Sequence, residues 1–393
     1  MTIPTVNRTA LGSWRTTARP AWLSWALRDV ALPFVATRAL LAFVGVLSIA
    51  ALPVSRWVPS VWAEPVAGPL FDAFSRWDGY RYLAIAANGY PASDPSIAAF
   101  FPLYPILVRA LGTLGGASSG AGLEVAAIVV SNVALLAAAA ALIALCRLDF
   151  GEEVASRASW YLLLFPTSFF LSAVYAESLF LALSLGAVLS ARRDRWLLSG
   201  TLGGLAALTR PYGILVAIPI AVEAYLRWRE GQRSWRQIAG LAIVPLAFTA
   251  YVAYQGWQYG DPLAFVHAQS GWHRSLSWPW ESFASALGGP LTTNALPHSV
   301  VDLTAALLTL GLVIGAWRML RPSYALFLTA LVLLPLSTGS LGSLMRFDVG
   351  FFPVFVVLAV AGRSRAFDRV YVLLGAGVGA VFMALFAQWY WVA

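Results

Sequence analysis

The 393-residue chain has no lysine, a single cysteine, three histidines and only 11% charged residues. Each shortage closes a class. The lone Cys146 ends an apolar run, so neither a disulfide framework nor a thiolate metal site can be assembled. With so few charges beside 60% hydrophobic residues, there is too little polar surface to cover a soluble globule. The formal net charge of +8 does not read as a nucleic-acid patch, because the arginines are dispersed over short connections between apolar stretches. Also missing are the alternating pattern of an outer-membrane barrel, a Gly-rich phosphate cradle, an internal repeat and a low-complexity tail.

What the chain has in abundance is long apolar runs. Val125 to Cys146, Gln237 to Gly260, Pro322 to Met345 and Val370 to Ala393 each approach the ~20 residues that cross a bilayer as a helix. Without water in the bilayer core, such runs satisfy their backbone groups only as helices. The expectation is an all-α polytopic membrane protein, a single membrane domain over 1–393, with eleven spans near 30–53, 122–146, 158–175, 177–191, 197–210, 211–226, 238–257, 300–317, 323–339, 349–362 and 370–391. The segment Phe100 to Leu114 is short and interrupted by Pro102 and Pro105, and reads as interfacial. Arginines in the first 29 residues, at 147 and 157, at 192 to 195, at 227 to 236, at 318 and 321 and at 363 to 369 then all fall on one side, which the positive-inside rule makes cytoplasmic. Residues 1–29 read as a cytoplasmic tail before a signal anchor, and the two long connections, 54–121 and 258–299, lie outside.

The unusual polar residues collect on that outer side. FDAFSRWDGYRYLAIAANGY (Phe71 to Tyr90) holds Asp72, Arg76, Asp78 and Arg81 among Trp77, Tyr80, Tyr82 and Tyr90. A carboxylate beside aromatic rings at a membrane surface can serve as general base toward a sugar hydroxyl while the rings stack on sugar faces; an aromatic interfacial belt with solvated charges is the plainer alternative. Asp72 and Asp78 are six apart and do not share a helical face. SAVYAESLF (Ser172 to Phe180) sets Glu177 alone in an apolar stretch, where it needs a partner or a task, unless it only caps a helical hairpin. TRPYG (Thr209 to Gly213) places Arg210 at a helix break, positioned to bind phosphate or to snorkel. FVHAQSGWHR (Phe265 to Arg274) carries His267, Gln269, Trp272, His273 and Arg274, a weak metal pattern that better suits hydrogen bonding to substrate or solvent. LMRFDVGFFP (Leu344 to Pro353) sets Arg346 two residues from Asp348, for a mutual or nearby ion pair or, functionally, for an anionic headgroup.

The run RWDGYRYLAIAANGY with AFFPLYPILVR (Ala99 to Arg109), then SAVYAESLF and ALTRPYGIL, resembles the glycosylphosphatidylinositol mannosyltransferase II (PIG-V-like) family in a bacterial form, over roughly residues 70–355. The resemblance implies a GT-C membrane glycosyltransferase in a bacterial inner (plasma) membrane. It would move a sugar, classically mannose, from a polyprenyl-phosphate donor to a lipid or glycan acceptor at the outer face. Asp78 corresponds to the acidic residue of the family's first external loop and is expected to be the catalytic base. Trp77, Arg81, Tyr82, Glu177, Arg210, His267, Gln269, Trp272, Arg274 and Arg346 are expected to contact substrate. No cofactor is called for, and a divalent cation is left open. The competing class is a lipid-linked-sugar flippase or transporter, which should carry its charges near mid-bilayer, often in repeated halves.

Overall fold

The structure is a computed structural model that describes residues 25–56, 58, 66–288 and 298–392; most of the expected N-terminal tail lies outside the described residues. It is all-helical: no strand occurs among the described residues. Five helices are long and apolar enough to cross a membrane, namely Ala26–Ala51 (α1), Gly120–Asp149 (α4), Trp235–Tyr259 (α9), Val300–Met319 and Arg365–Ala387 (α14). The fourth of these belongs to a helix that begins at His298 (α11). Between them run Asp78–Asn88 (α2), Leu103–Leu114 (α3), Glu152–Leu164 (α5), Glu177–Arg192 (α6), Trp196–Ala207 (α7), Ala217–Arg229 (α8), Pro279–Gly288 (α10), Pro322–Leu336 (α12) and Phe352–Ala361 (α13).

Several elements are shorter than hydropathy suggests. The expected span 158–175 ends as an α-helix at Leu164, because Pro166 cannot continue it, and residues 165–176 fold as largely buried irregular chain around one short 3-10 turn, Ser168–Leu171. Arg210 sits at a break where α7 has ended and a tight turn, Pro211–Val216, leads into α8. Non-helical backbone at membrane depth is tolerated where protein covers it, and here α1 does so. Arg38, nearly buried in α1, donates to the carbonyls of Leu163 (2.7 Å) and Ser168 (2.8 Å) and to the hydroxyls of Ser168 and Ser172. A cation thereby meets a carbonyl in the last turn of α5, Leu163, which the Ser168 hydroxyl also reaches.

α9 begins with a reciprocal cap, in which the Ser234 hydroxyl accepts from Arg236 N–H and the Gln237 side chain accepts from Ser234 N–H, and it stops at Gly260 in the left-handed region (φ 69°). Its contact with α7 is backbone on backbone: a Cβ at Gly200 would lie 2.1 Å from the Gly240 carbonyl oxygen. The main core is carried by α4, α5, α6, α12 and α13, where Leu142, Leu162, Phe180, Leu328 and Phe352 have no exposed surface. Helix α6 runs through this core, so its two ends mark the two polar ends of the bundle. Glu177 starts it at the end that carries the two long connections; Arg192 ends it.

Candidate functional site

Asp78 is the first residue of α2, and the residue before it is strained. Trp77 has φ 55° and ψ −120°, a region rare for a bulky side chain and one that costs on the order of 1–3 kcal/mol. Packing offsets that cost: the Trp77 ring lies 6.0 Å from Trp389 and 5.4 Å from Trp391, centroid to centroid. The turn aims the Asp78 carboxylate at Arg346, whose Nη1 donates to Oδ2 at 2.6 Å.

Arg346 is 8% exposed and sits in the short helix Leu344–Asp348. Its Nε lies 3.8 Å from Glu177 Oε1, and Arg210 Nη1 reaches the same oxygen at 2.5 Å. Glu177 is wholly buried at the N-terminus of α6, where the helix dipole favours an anion. The expected hairpin cap is therefore also the counter-ion of two arginines. The Phe347 ring stands among three guanidiniums, from Arg346 (5.1 Å), Arg274 (5.2 Å) and Arg210 (5.6 Å). Arg274 is held by the carbonyl of Gly342 at 2.5 Å; burial, then the nearby Arg346 charge, lowers its pKa to about 10, which leaves it a cation at neutral pH.

Three guanidiniums thus stand near the carboxylates of Asp78 and Glu177, with Asp302 within electrostatic reach of Arg274, in a space where buried polar atoms should be paired. Trp77 Nε1, Glu177 Oε2 and Arg346 Nε are all buried without a hydrogen-bond partner among the described residues. A guanidinium-rich arrangement with unused donors is suited to hold an anion. A cavity of about 210 Å³ opens beside it, lined by Trp77, Asp78, Arg81, Ser96, Gly271 and Trp272. Arg81 is steadied there by the Ser96 hydroxyl (3.3 Å) and by Asp94 (3.5 Å). The second long connection roofs the cavity, with Trp272 edge-on to Phe100 at 5.9 Å.

Of the residues expected to form the site, Trp77, Asp78, Arg81 and Trp272 line this cavity, and Glu177, Arg210, Arg274 and Arg346 form the charged cluster. Others do not join them. Tyr82 is 4% exposed and packs its ring against Phe100, Tyr104 and Tyr175, so it belongs to the core rather than to a sugar-stacking face. His267 pairs with Asp261 at 2.6 Å on an exposed turn, and the Gln269 amide turns back to the Phe265 carbonyl. Arg346 and Asp348 do not pair with each other; the Thr309 hydroxyl donates to Asp348 instead. Among the described residues, no three or more His, Cys, Asp or Glu side chains come together as metal ligands.

The sequence reading missed the C-terminal aromatics. Trp391 lies beneath the Arg346 guanidinium (5.1 Å) and Trp389 beneath Arg76 (5.0 Å). The signal was available in the dense QWYW (Gln388 to Trp391) that closes the last apolar run at the same end of the bundle.

Fold and site together define an all-α membrane protein with a buried acid–arginine cluster beside an aromatic-walled cavity. The family model described as Mannosyltransferase (PIG-V) matches residues 41–259, and the chain belongs to that family. The matched segment contains Asp78, Glu177 and Arg210 but ends before Arg274 and Arg346. Similar curated proteins include the GPI alpha-1,6-mannosyltransferase 2 of Rattus norvegicus, 31% identical over 166 residues that make up 41% of this chain and 33% of the rat protein. GPI mannosyltransferase 2 of Drosophila melanogaster is 29% identical over 174 residues, 42% of this chain and 38% of the fly protein. The chain thus spans about a third of the length of the curated relatives it matches. Among solved structures, an Archaeoglobus fulgidus oligosaccharyltransferase aligns over 93% of this chain and 56% of its own, with 14% identity and a TM-score of 0.47.

Proposed function

We propose that the protein is a membrane glycosyltransferase that transfers a sugar, mannose by family kinship, from a polyprenyl-phosphate donor to an acceptor hydroxyl at the external membrane face. The observation that carries this reading is the Asp78 carboxylate, which lines the cavity and is held by Arg346, one of three guanidiniums that stand around Phe347.

The chemistry needs little more. The acceptor oxygen attacks the anomeric carbon, the bond from that carbon to the phosphate oxygen breaks, and its electron pair leaves with the lipid phosphate. The acceptor proton passes to Asp78 as general base. Charge grows on the departing phosphate, where Arg346, Arg210 and Arg274 stabilise it; a polyprenyl phosphate so held needs no strong general acid. Glu177 keeps Arg210 and Arg346 in place and desolvated. Attack in line with the leaving group inverts the anomeric centre, and the polyprenyl chain stays in the bilayer beside the bundle. Trp77 and Trp272 supply apolar ring faces for the sugar in the cavity.

The test is transfer from radiolabelled polyprenyl-phosphate-mannose to endogenous acceptors in membranes, wild type against Asp78→Asn at equal expression. The expected result is a loss of ~10²- to 10⁴-fold in the variant, the range of a general base. Equal transfer would remove Asp78 from that role. Absence of transfer by either protein, with labelled lipid changing leaflets, would favour a flippase.

A further inference from the structure

The hydroxyl of Tyr175 is spent on two main-chain groups almost a hundred residues away. It accepts from the Asp78 N–H at 3.2 Å and donates to the Arg76 carbonyl at 3.1 Å. Those groups flank Trp77, the strained residue whose turn aims the Asp78 carboxylate. The Asp78 N–H is an orphan donor at the start of α2, and Trp77 supplies no side-chain cap. The Tyr175 ring is secured separately: it is 1% exposed and packs on Phe170 (5.0 Å), Phe386 (6.2 Å) and Tyr82 (6.4 Å). The ring also lies 5.7 Å from the Arg346 guanidinium that binds Asp78, a contact that does not depend on the hydroxyl.

We infer that Tyr175 is a positioning residue, whose hydroxyl clamps the turn at Trp77 and holds the Asp78 carboxylate in the attitude that proton transfer requires. The inference rests on the reading of Asp78 as base. Small errors of placement are costly in such a step, since a shift of about 1 Å can lower a rate by on the order of 10²-fold. Tyr175→Phe removes both bonds and keeps every ring contact.

The test uses the full chain and a double-mutant cycle with Asp78→Asn, which separates action through Asp78 from an independent effect. Three quantities are read: single-turnover transfer from polyprenyl-phosphate-mannose, the donor KM, and the stoichiometry of polyprenyl phosphate binding, which counts folded sites. The expected result for Tyr175→Phe is a kcat lower by ~10-fold or more, with donor KM and stoichiometry unchanged, and no further loss when the substitution is added to Asp78→Asn. The inference is overturned by wild-type kcat in Tyr175→Phe, by a loss that multiplies with that of Asp78→Asn, or by a stoichiometry that falls in step with kcat and marks Tyr175 as structural. Full activity in Asp78→Asn alone would overturn the base reading and this inference with it, whereas an inactive Asp78→Asn beside a fully active Tyr175→Phe would overturn only the latter.

Discussion

Two charged clusters sit at the two ends of α6, about 24 Å apart by helix rise, and they are built to different rules. At the Arg192 end, that arginine forks onto both oxygens of Asp149 at 2.7 and 2.8 Å, and Tyr324 Oη donates to Asp149 at 2.9 Å. Glu223 beside them accepts from Ser323 (2.6 Å) and from Arg321 (3.2 and 3.3 Å). Two guanidiniums meet two carboxylates, and none of these side chains has a buried atom without a partner. At the Glu177 end, Arg210 and Arg346 share Glu177, Arg346 also binds Asp78, Arg274 stands beside them within electrostatic reach of Asp302, and polar atoms of Trp77, Glu177 and Arg346 are buried without hydrogen bonds among the described residues. A saturated network locks helices together; an unsaturated, guanidinium-rich one is prepared for something it does not itself contain. Charge and burial alone do not separate the two. The completeness of the hydrogen bonding does.

The sharpest way to break this contrast is Arg346→Gln. It removes the cation that touches Asp78 and neighbours Glu177, and transfer is expected to fall by ~10²- to 10³-fold in kcat/KM, the range for loss of one stabilising donor. Asp149→Asn should behave in the opposite manner. It breaks the fork to Arg192 in a nearly buried pair and should lower stability by about 3 kcal/mol, read as a lower Tm in detergent, while kcat per folded molecule stays at the wild-type value. The smallest effect is expected from Trp272→Ala, which strips one wall of the cavity without touching the charged cluster. Losing that ring contact should raise the KM for a sugar substrate by ~5-fold, equivalent to about 1 kcal/mol, with little change in kcat.

Much of the cluster was legible before any coordinates. Glu177, Arg210 and Arg346 stand out as charges at the ends of apolar runs and Asp78 and Arg274 as charges in the two long connections, all on one side of the expected topology, and the fold brings the five together. Their pairing was not legible. Arg346 and Asp348 are neighbours in sequence, but residues two apart on a helix point in different directions, and each found its partner across the fold, in Asp78 and Thr309. Tyr82 was misread for a related reason. A tyrosine four residues after Asp78 suits a sugar platform and a packed core equally well, and only the rings of Phe100, Tyr104 and Tyr175 decide between them. The span expected over 158–175 is longer than its helix because hydropathy reports burial in an apolar setting, not helicity, whereas the helix expected over 197–210 ends within three residues of its expected boundary. Irregular chain covered by protein is as apolar as a helix facing lipid.

The measurement that bears most directly on the contrast is binding of polyprenyl phosphate to the purified protein, compared among wild type, Arg346→Gln and Asp149→Asn. The account predicts a Kd raised ~10-fold or more by Arg346→Gln and left at the wild-type value by Asp149→Asn. Equal weakening by both substitutions, or by neither, would contradict the assignment of the lipid phosphate to the Glu177 end of the bundle.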